Sequence, residues 1–360
     1  MNKWRDKLTG KRIFLFGAGI LCLLLFGIIT LTEKTIQNGL YDQQLAARWS
    51  ENKDVSQVSA FFAAGEVDGP DYFTGIGMTL DKKLTEASLT APNEQARLRI
   101  DAISIPGKVT LSNGSRSAEL TAFGVKGDFF QFHPLMLLEG SFFDLNSMMQ
   151  DGIIIDEETA WQLFGSSDVA GMQVMLGQVP HYISGVVRRD SGRIAEAAGL
   201  DKSVCYLSID SLLKYGMANG GYCYEVLMPN PVKGFARTAL SEALEAEKKQ
   251  VHLVENSTRF QSLSLLEIIV GFGTRSMSKQ QIIYPYWENM ARGYEDIFAL
   301  ILILKAVLLI YPSLFGGISL ILFWKKRHRP LREKVFRLRE KLYDYSVKLN
   351  NRKKEEGRKK

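Results

Sequence analysis

His133 stands in the stretch GDFFQFHPLMLLEGSFFD, residues 127–144, among five phenylalanines and a proline. A histidine can ligate a metal or move a proton. A catalytic zinc, however, needs three protein ligands and a water, and close pairings such as H-E-x-x-H announce it. No such pairing occurs: His181 and His252 stand alone in strand-like segments, and His328 lies in a basic run. Each reads as a satisfied or exposed imidazole. G-x-S-x-G and Walker A sequences are absent, and the GAG at 17–19 lies inside an apolar run with no strand before it, so it suits helix packing rather than a dinucleotide.

The carboxylates Asp156, Glu157 and Glu158 open a short helix, where capping and the helix dipole account for them. Cys205 and Cys223, eighteen positions apart on two expected strands, are a candidate disulfide, provided those strands are neighbours. No catalytic, metal-binding or cofactor-binding residue is assigned, and no enzyme is expected.

The elements around these residues are set by charge and hydropathy. Residues 1–12 carry five Lys and Arg against one Asp, or +4, and residues 325–360 carry 16 against five, or +11, leaving 24 basic against 33 acidic, or −9, for residues 13–324. A nucleic-acid surface would instead concentrate the basic residues on the folded region. Residues 13–32 are free of charge and, at ~1.5 Å per residue, reach the ~30 Å of a hydrocarbon core. They are expected to be an uncleaved spanning helix; a signal peptide usually has a shorter apolar run and a small-x-small site, and TEKTIQNG offers none. The second span covers 297–324. Its basic flank, KKRHR, matches that of the first, so both termini are expected to be cytoplasmic and residues 33–296 extracytoplasmic.

Lys305 has two readings: an intramembrane charge paired with a partner's carboxylate, or an ammonium snorkelling to the outer interface while 306–324 span. Pro312 is expected to kink this helix. In the tail, residues 325–360, Leu331, Val335, Leu338, Leu342, Tyr345 and Leu349 alternate spacings of four and three. That seam suits docking on a partner helix or, with the surplus of basic residues, on anionic membrane lipid; a solvated basic tail is the alternative.

The segment 33–49 continues the first apolar helix as a stalk, on the stripe Ile36, Leu40, Tyr41, Leu45 and Trp49. Strands are expected at 55–63, 118–125, 153–155, 172–176 and 179–187, at SVCYLSI and YCYEVLMP, and at QVHLVEN. Pro106–Gly107 and Asn113–Gly114 punctuate hairpins, and Gly177 opens a type II′ turn. Helices fall at 77–89, 156–165, 209–215 and 232–249. The stretch 262–273 is apolar but too short to span, and reads as a buried or interface-lying helix. The pattern is that of an α+β domain with mixed sheets.

With a span, an α+β domain and a second span in order, GDFFQFHPLMLLEGSFFD followed by GIIIDEETAWQLFGSSDVAGMQVMLGQVPHYISGVV resembles the MacB-like extracytoplasmic core domain of FtsX-like ABC transporter permeases. The resemblance is specific over about 118–190. It implies a bacterial cell-membrane protein whose outer domain has a βαβ-type subdomain and an inserted β-rich lobe, held by stalk helices. It further implies coupling to a companion multi-span permease and a cytoplasmic ABC ATPase. This chain shows one span after the domain, so it is expected to be a two-span form without the later permease helices. Under that reading it is an accessory or partial permease subunit whose outer domain binds a substrate or partner. The alternatives are a stand-alone sensor or surface-binding protein signalling through its cytoplasmic helix, and a membrane-anchored hydrolase built on His133. Under the resemblance the phenylalanines of 127–144, with Leu135, Leu137 and Leu138, are expected to be scaffold.

Overall fold

Alternation of side chains decides which face of the sheet each residue joins. Val58, Ala60 and Phe62, Ala118, Leu120 and Ala122, Ile153 and Ile155, and Cys205 and Leu207 enter one buried cluster. Their neighbours Phe123 and Val125, Ile154, and Val204 and Tyr206 enter another on the opposite face. A period of two that buries both faces marks strands covered by helices on each side.

The structure is a computed structural model describing residues 2–50, 54–91, 93, 96–114, 116–145, 149–275 and 282–356. Its strands are β1 (Val55–Phe62), β2 (Ile100–Asn113), β3 (Arg116–Gly127), β4 (Met136–Gly140), β5 (Gly152–Asp156), β6 (Gln173–Leu176), β7 (Val179–Arg188), β8 (Val204–Ser208), β9 (Met217–Ala218), β10 (Cys223–Pro229) and β11 (Val251–Glu255). The helices are α1 (Asn2–Asn38), α2 (Leu45–Trp49), α3 (Tyr72–Glu86), α4 (Phe129–Phe132), α5 (Glu157–Phe164), α6 (Arg193–Ala195), α7 (Ile209–Tyr215), α8 (Phe235–Leu244), α9 (Ser262–Gly271) and α10 (Tyr286–Glu356).

One mixed sheet runs β11-β1-β10-β2-β3-β8-β5-β7-β4. β3 with β8 and β5 with β7 are parallel, and the other pairs are antiparallel. The long β2–β3 hairpin carries the hydrogen bonding from one half of the sheet to the other. Phe73, Leu80 and Leu84 of α3, Leu240 and Leu244 of α8, Leu163 of α5 and Leu212 of α7 cover one face. Phe129 and Phe132 of α4 and Trp287 of α10 cover the other. The fold is thus α+β, flanked in sequence by the two helices that, among the described residues, are long and apolar enough to cross a membrane, Phe14–Asn38 and Tyr286–Lys325.

The chain forms two compact units, Glu33–Leu302 and Met1–Thr32 with Ile303–Lys360. In the second, the Tyr311 hydroxyl donates to the Leu15 carbonyl at 2.8 Å. Lys305 is half-buried there. α10 is assigned as helix straight through Pro312.

Local grammar is kept where it is short-range. Asp156 accepts from the Thr159 N–H and so caps α5, and Gly165 closes that helix in the left-handed region at φ 77°. Three expectations change. The stalk 33–49 is not one helix: α1 ends at Asn38, a 3₁₀ turn covers Tyr41–Gln43, and α2 follows. The break is held by Gln57, whose side chain accepts from the Leu45 N–H and donates to the Asp42 carbonyl. Leu40 and Leu45 then enter different clusters.

Pro106–Gly107 makes no turn and lies inside β2. Proline cannot donate to a ladder, and it sits where the partner on that edge changes: β10 pairs up to Ser104, and β9 begins opposite Gly107. The Pro106 carbonyl takes the Asn219 N–H instead.

The disulfide is also corrected. Cys205 on β8 and Cys223 on β10 are buried free thiols. β2 and β3 lie between their strands, a backbone separation of about 14 Å at ~4.8 Å per strand, beyond a bridge's reach.

Candidate functional site

Burying a charge is costly unless it is paired and hydrogen-bonded. Unit Glu33–Leu302 nevertheless buries Glu225, Arg259, Glu288 and Glu295 along with His133. These groups form one hydrogen-bonded chain. His133, fully buried at the end of α4, meets Asp42 at 2.8 Å through Nδ1 and Glu225 at 2.5 Å through Nε2. The other Glu225 oxygen accepts from the Ser59 hydroxyl at 2.6 Å, and that hydroxyl accepts from the Asn256 amide at 2.7 Å. Arg259 donates to Asn256 at 2.9 Å. It then grips Glu288 with both terminal nitrogens, at 2.9 and 3.0 Å, and Glu295 through Nε at 2.8 Å. Arg275 pairs with Glu295 and Asp296.

The chain has a direction in the fold. It begins at Asp42, four residues beyond α1, crosses the sheet through β10 and β1, and ends on the first turns of α10. Trp287 reinforces it: its ring lies 4.3 Å from that of His133 and 5.6 Å from Phe129, and its carbonyl accepts from Gln43. Tyr206 of β8 and Tyr286 of α10 share a hydroxyl hydrogen bond of 2.8 Å beside it.

Burial alone would hold the His133 proton weakly, but the Glu225 and Asp42 carboxylates outweigh it and push the pKa up to about 9. The imidazolium form is therefore held at neutral pH. His252 is the opposite case: burial, then the charges of Arg292 and Arg259, push it down to about 4. It stays neutral and contacts the Tyr284 hydroxyl at 3.1 Å. Burial, and next Asp42, raise the Asp190 carboxyl.

Two cavities open beside the chain. One of 420 Å³ includes Asp42, Arg189, Asp190, Tyr206, Tyr286 and Met290 in its wall. The other, of 1100 Å³, has Arg193, Ala198, Phe272, Arg275, Arg292 and Asp296 in its wall. A buried ion chain of this kind can transmit displacement and fix register. Among the described residues no group of three or more His, Cys, Asp and Glu is placed to hold a metal ion.

His133, expected as a satisfied or exposed imidazole, is packed among Phe129 and Trp287 and is also a member of the ion chain. His181 is buried against the Ser211 hydroxyl at 3.2 Å. In the tail, α10 carries Leu338 and Leu342 as exposed side chains. The side chains of Leu331, Val335, Tyr345 and Leu349 lie outside the described set, as does that of His328. The chain's other members were not singled out from the sequence. Two signals point to them: Glu225 interrupts the apolar strand YCYEVLMP, and Glu288 and Glu295 stand seven apart on one face of the helix leading into the second apolar segment.

Residues 43–232 match the family described as MacB-like periplasmic core domain, which is more than half of the chain. The chain belongs to that family. Among curated members, Macrolide export ATP-binding/permease protein MacB 1 of Aeromonas hydrophila is 34% identical over 90 residues, 24% of this chain and 14% of that protein. MacB 2 of the same organism is 32% identical over 117 residues, 32% of this chain and 17% of the relative. MacB of Shewanella oneidensis is 27% identical over 152 residues, 39% and 23% respectively. This chain thus spans less than a quarter of their length. The periplasmic region of MacB from Actinobacillus actinomycetemcomitans is similar at 16% identity, covering 57% of this chain and 92% of that one, with a TM-score of 0.40. The extracellular domain of the ABC-type transporter YknZ from Gram-positive bacteria gives 14%, 55%, 99% and 0.38. The family match spans β1 to β10, so Asp42 lies just before the MacB-like segment and Arg259, Glu288 and Glu295 lie after it.

Proposed function

We propose that this chain is a non-enzymatic membrane subunit related to ABC permeases. Its MacB-like domain is extracytoplasmic, both termini are cytoplasmic, and residues 13–32 and 297–324 span. The spans and the tail contact a companion multi-span permease that works with a cytoplasmic ATPase, and the outer domain offers its cavities to a substrate or partner. The observation that carries this reading is the buried chain from Asp42 to Glu295, because it ties the bases of both apolar helices to the same sheet. A displacement of either helix then reaches the whole domain, as a coupling subunit requires. Support also comes from the basic flanks of the two apolar segments, which suit the same side of the membrane.

The test is purification of the tagged full chain from its native membrane in mild detergent. A multi-spanning protein and an ATPase are expected to come with it; repeated isolation of the chain alone overturns the coupling role. A signalling role is favoured by one feature, the assignment of α10 as a single helix from Tyr286 to Glu356. Under that reading, removal of residues 330–360 abolishes an inward response while folding and membrane insertion are kept.

A further inference from the structure

α9 leaves an apolar stripe uncovered. Leu263, Leu266 and Val270 recur at spacings of three and four, which places them on one helix face. They are 69%, 48% and 89% exposed, and Phe272 just beyond them is also exposed. The opposite face is anchored: Leu265 is buried with Leu40 and Phe298, and Ile36, Phe260, Ile301 and Leu302 pack around them. The Phe260 ring meets Phe298 edge to face at 5.2 Å. Phe260 precedes α9, Ile36 lies at the end of α1 with Leu40 two residues beyond that helix, and Phe298, Ile301 and Leu302 belong to the start of the apolar stretch of α10. Ile297 and Leu300, in that same start, expose apolar side chains as well.

We propose that α9 lies in the outer leaflet as an interfacial helix, with membrane lipid covering the Leu263–Leu266–Val270 stripe. The inference rests on the spanning role given above to residues 297–324. Ten residues rise about 15 Å, half of a hydrocarbon core, so α9 cannot cross and must lie along the boundary. Its anchor fixes its level, since Leu265 touches the residues where the apolar helices leave the sheet domain. At that level the neighbouring exposed apolar surface already faces lipid, and the stripe continues it. Glu267, exposed at the border of the stripe, limits the depth to that of the headgroups.

The experiment uses the full chain in lipid nanodiscs, with Cys22→Ala as background and the buried thiols of Cys205 and Cys223 left in place. A bimane label is placed at Val270→Cys, at Leu266→Cys, at Met217→Cys on the sheet domain, and at Leu320→Cys on the second apolar segment. Nitroxide lipids labelled near the headgroup are expected to remove about half of the emission from positions 270 and 266, as for groups ~5–10 Å deep. Aqueous iodide should leave those two unchanged, and Met217→Cys should behave in the reverse way. Iodide quenching at 270 without lipid quenching overturns the inference. So does protection from both, since a second copy of the chain would then cover the stripe. Lipids labelled deep in the acyl chain should quench Leu320→Cys. If they do not, the spanning reading itself fails; if they do while 270 stays unquenched, only the interfacial helix fails.

Discussion

At the scale of single residues, His133 is the most exposed to test. Its pKa is 6.5 when unfolded and about 9 in place. A raised value means that its contribution to stability is complete below about pH 6.5 and is lost as the pH passes through about 9. Denaturant unfolding of the full chain should therefore show a lower midpoint at about pH 10 than at about pH 6, and His133→Ala should remove that part of the difference. His133→Ala should also cost about 3–5 kcal/mol at neutral pH, because it leaves Glu225 buried without its cation. An unchanged midpoint in both measurements would show that the imidazolium carries nothing. Arg259→Leu should cost a similar ~3–5 kcal/mol by stranding Glu288 and leaving Glu295 with Arg275 alone. The triple variant Arg259→Leu, Glu288→Leu, Glu295→Leu should recover most of it, since the penalty belongs to the unpaired charges. These groups were hidden in the sequence for a physical reason. Ser59 and Asn256 are 197 positions apart and Ser59 and Glu225 are 166 apart, so only the strand order brings them together. The lone Glu225 in an apolar strand showed that a buried charge had to be satisfied, but not by what.

At the scale of elements, the sequence was most informative where a structure closes on itself within a few residues. The Asp156 cap, the left-handed Gly165 and the β6–β7 turn at Gly177, φ 63°, all depend on local backbone chemistry. Pro106–Gly107 misled because the same dipeptide that favours turns also suits a strand whose edge partner changes, and that depends on β9, a distant segment. The stalk break at Gly39 was likewise set from afar, by the Gln57 side chain. Gly140, in the motif LLEG that carried the family resemblance, is required for a tertiary reason. Its φ is 77°, and a Cβ there would collide with the Ser184 carbonyl, which already accepts from the Ser141 N–H at 2.9 Å. Gly140→Ala should destabilise by about 2 kcal/mol, read as a lowered urea midpoint. Gly171→Ala is its control, with left-handed backbone but open space at the Cβ, and should cost less. The separation of β8 from β10 makes a further element-scale prediction: thiol titration after denaturation without reductant should find Cys205 and Cys223 both free.

At the scale of the whole molecule, the two apolar helices were legible in the sequence because the length of an apolar run is a one-dimensional property, and the sign of their flanks is what the proposed orientation rests on. The α+β class followed from alternation, and the family followed from a motif in its middle. The ion chain from Asp42 to Glu295, on which the proposed coupling rests, could not be read from the sequence, since it joins segments far apart along the chain. Everything proposed for α9 and for the companion proteins depends on which side of the membrane the sheet domain occupies. The most direct measurement is labelling of intact cells with an impermeant thiol reagent, using full-length variants with one added cysteine at Met217→Cys or at Leu338→Cys, both exposed positions. With the sheet domain outside and the tail inside, position 217 is expected to be modified in intact cells and position 338 only after permeabilisation. Modification of 338 in intact cells while 217 is spared would contradict that orientation.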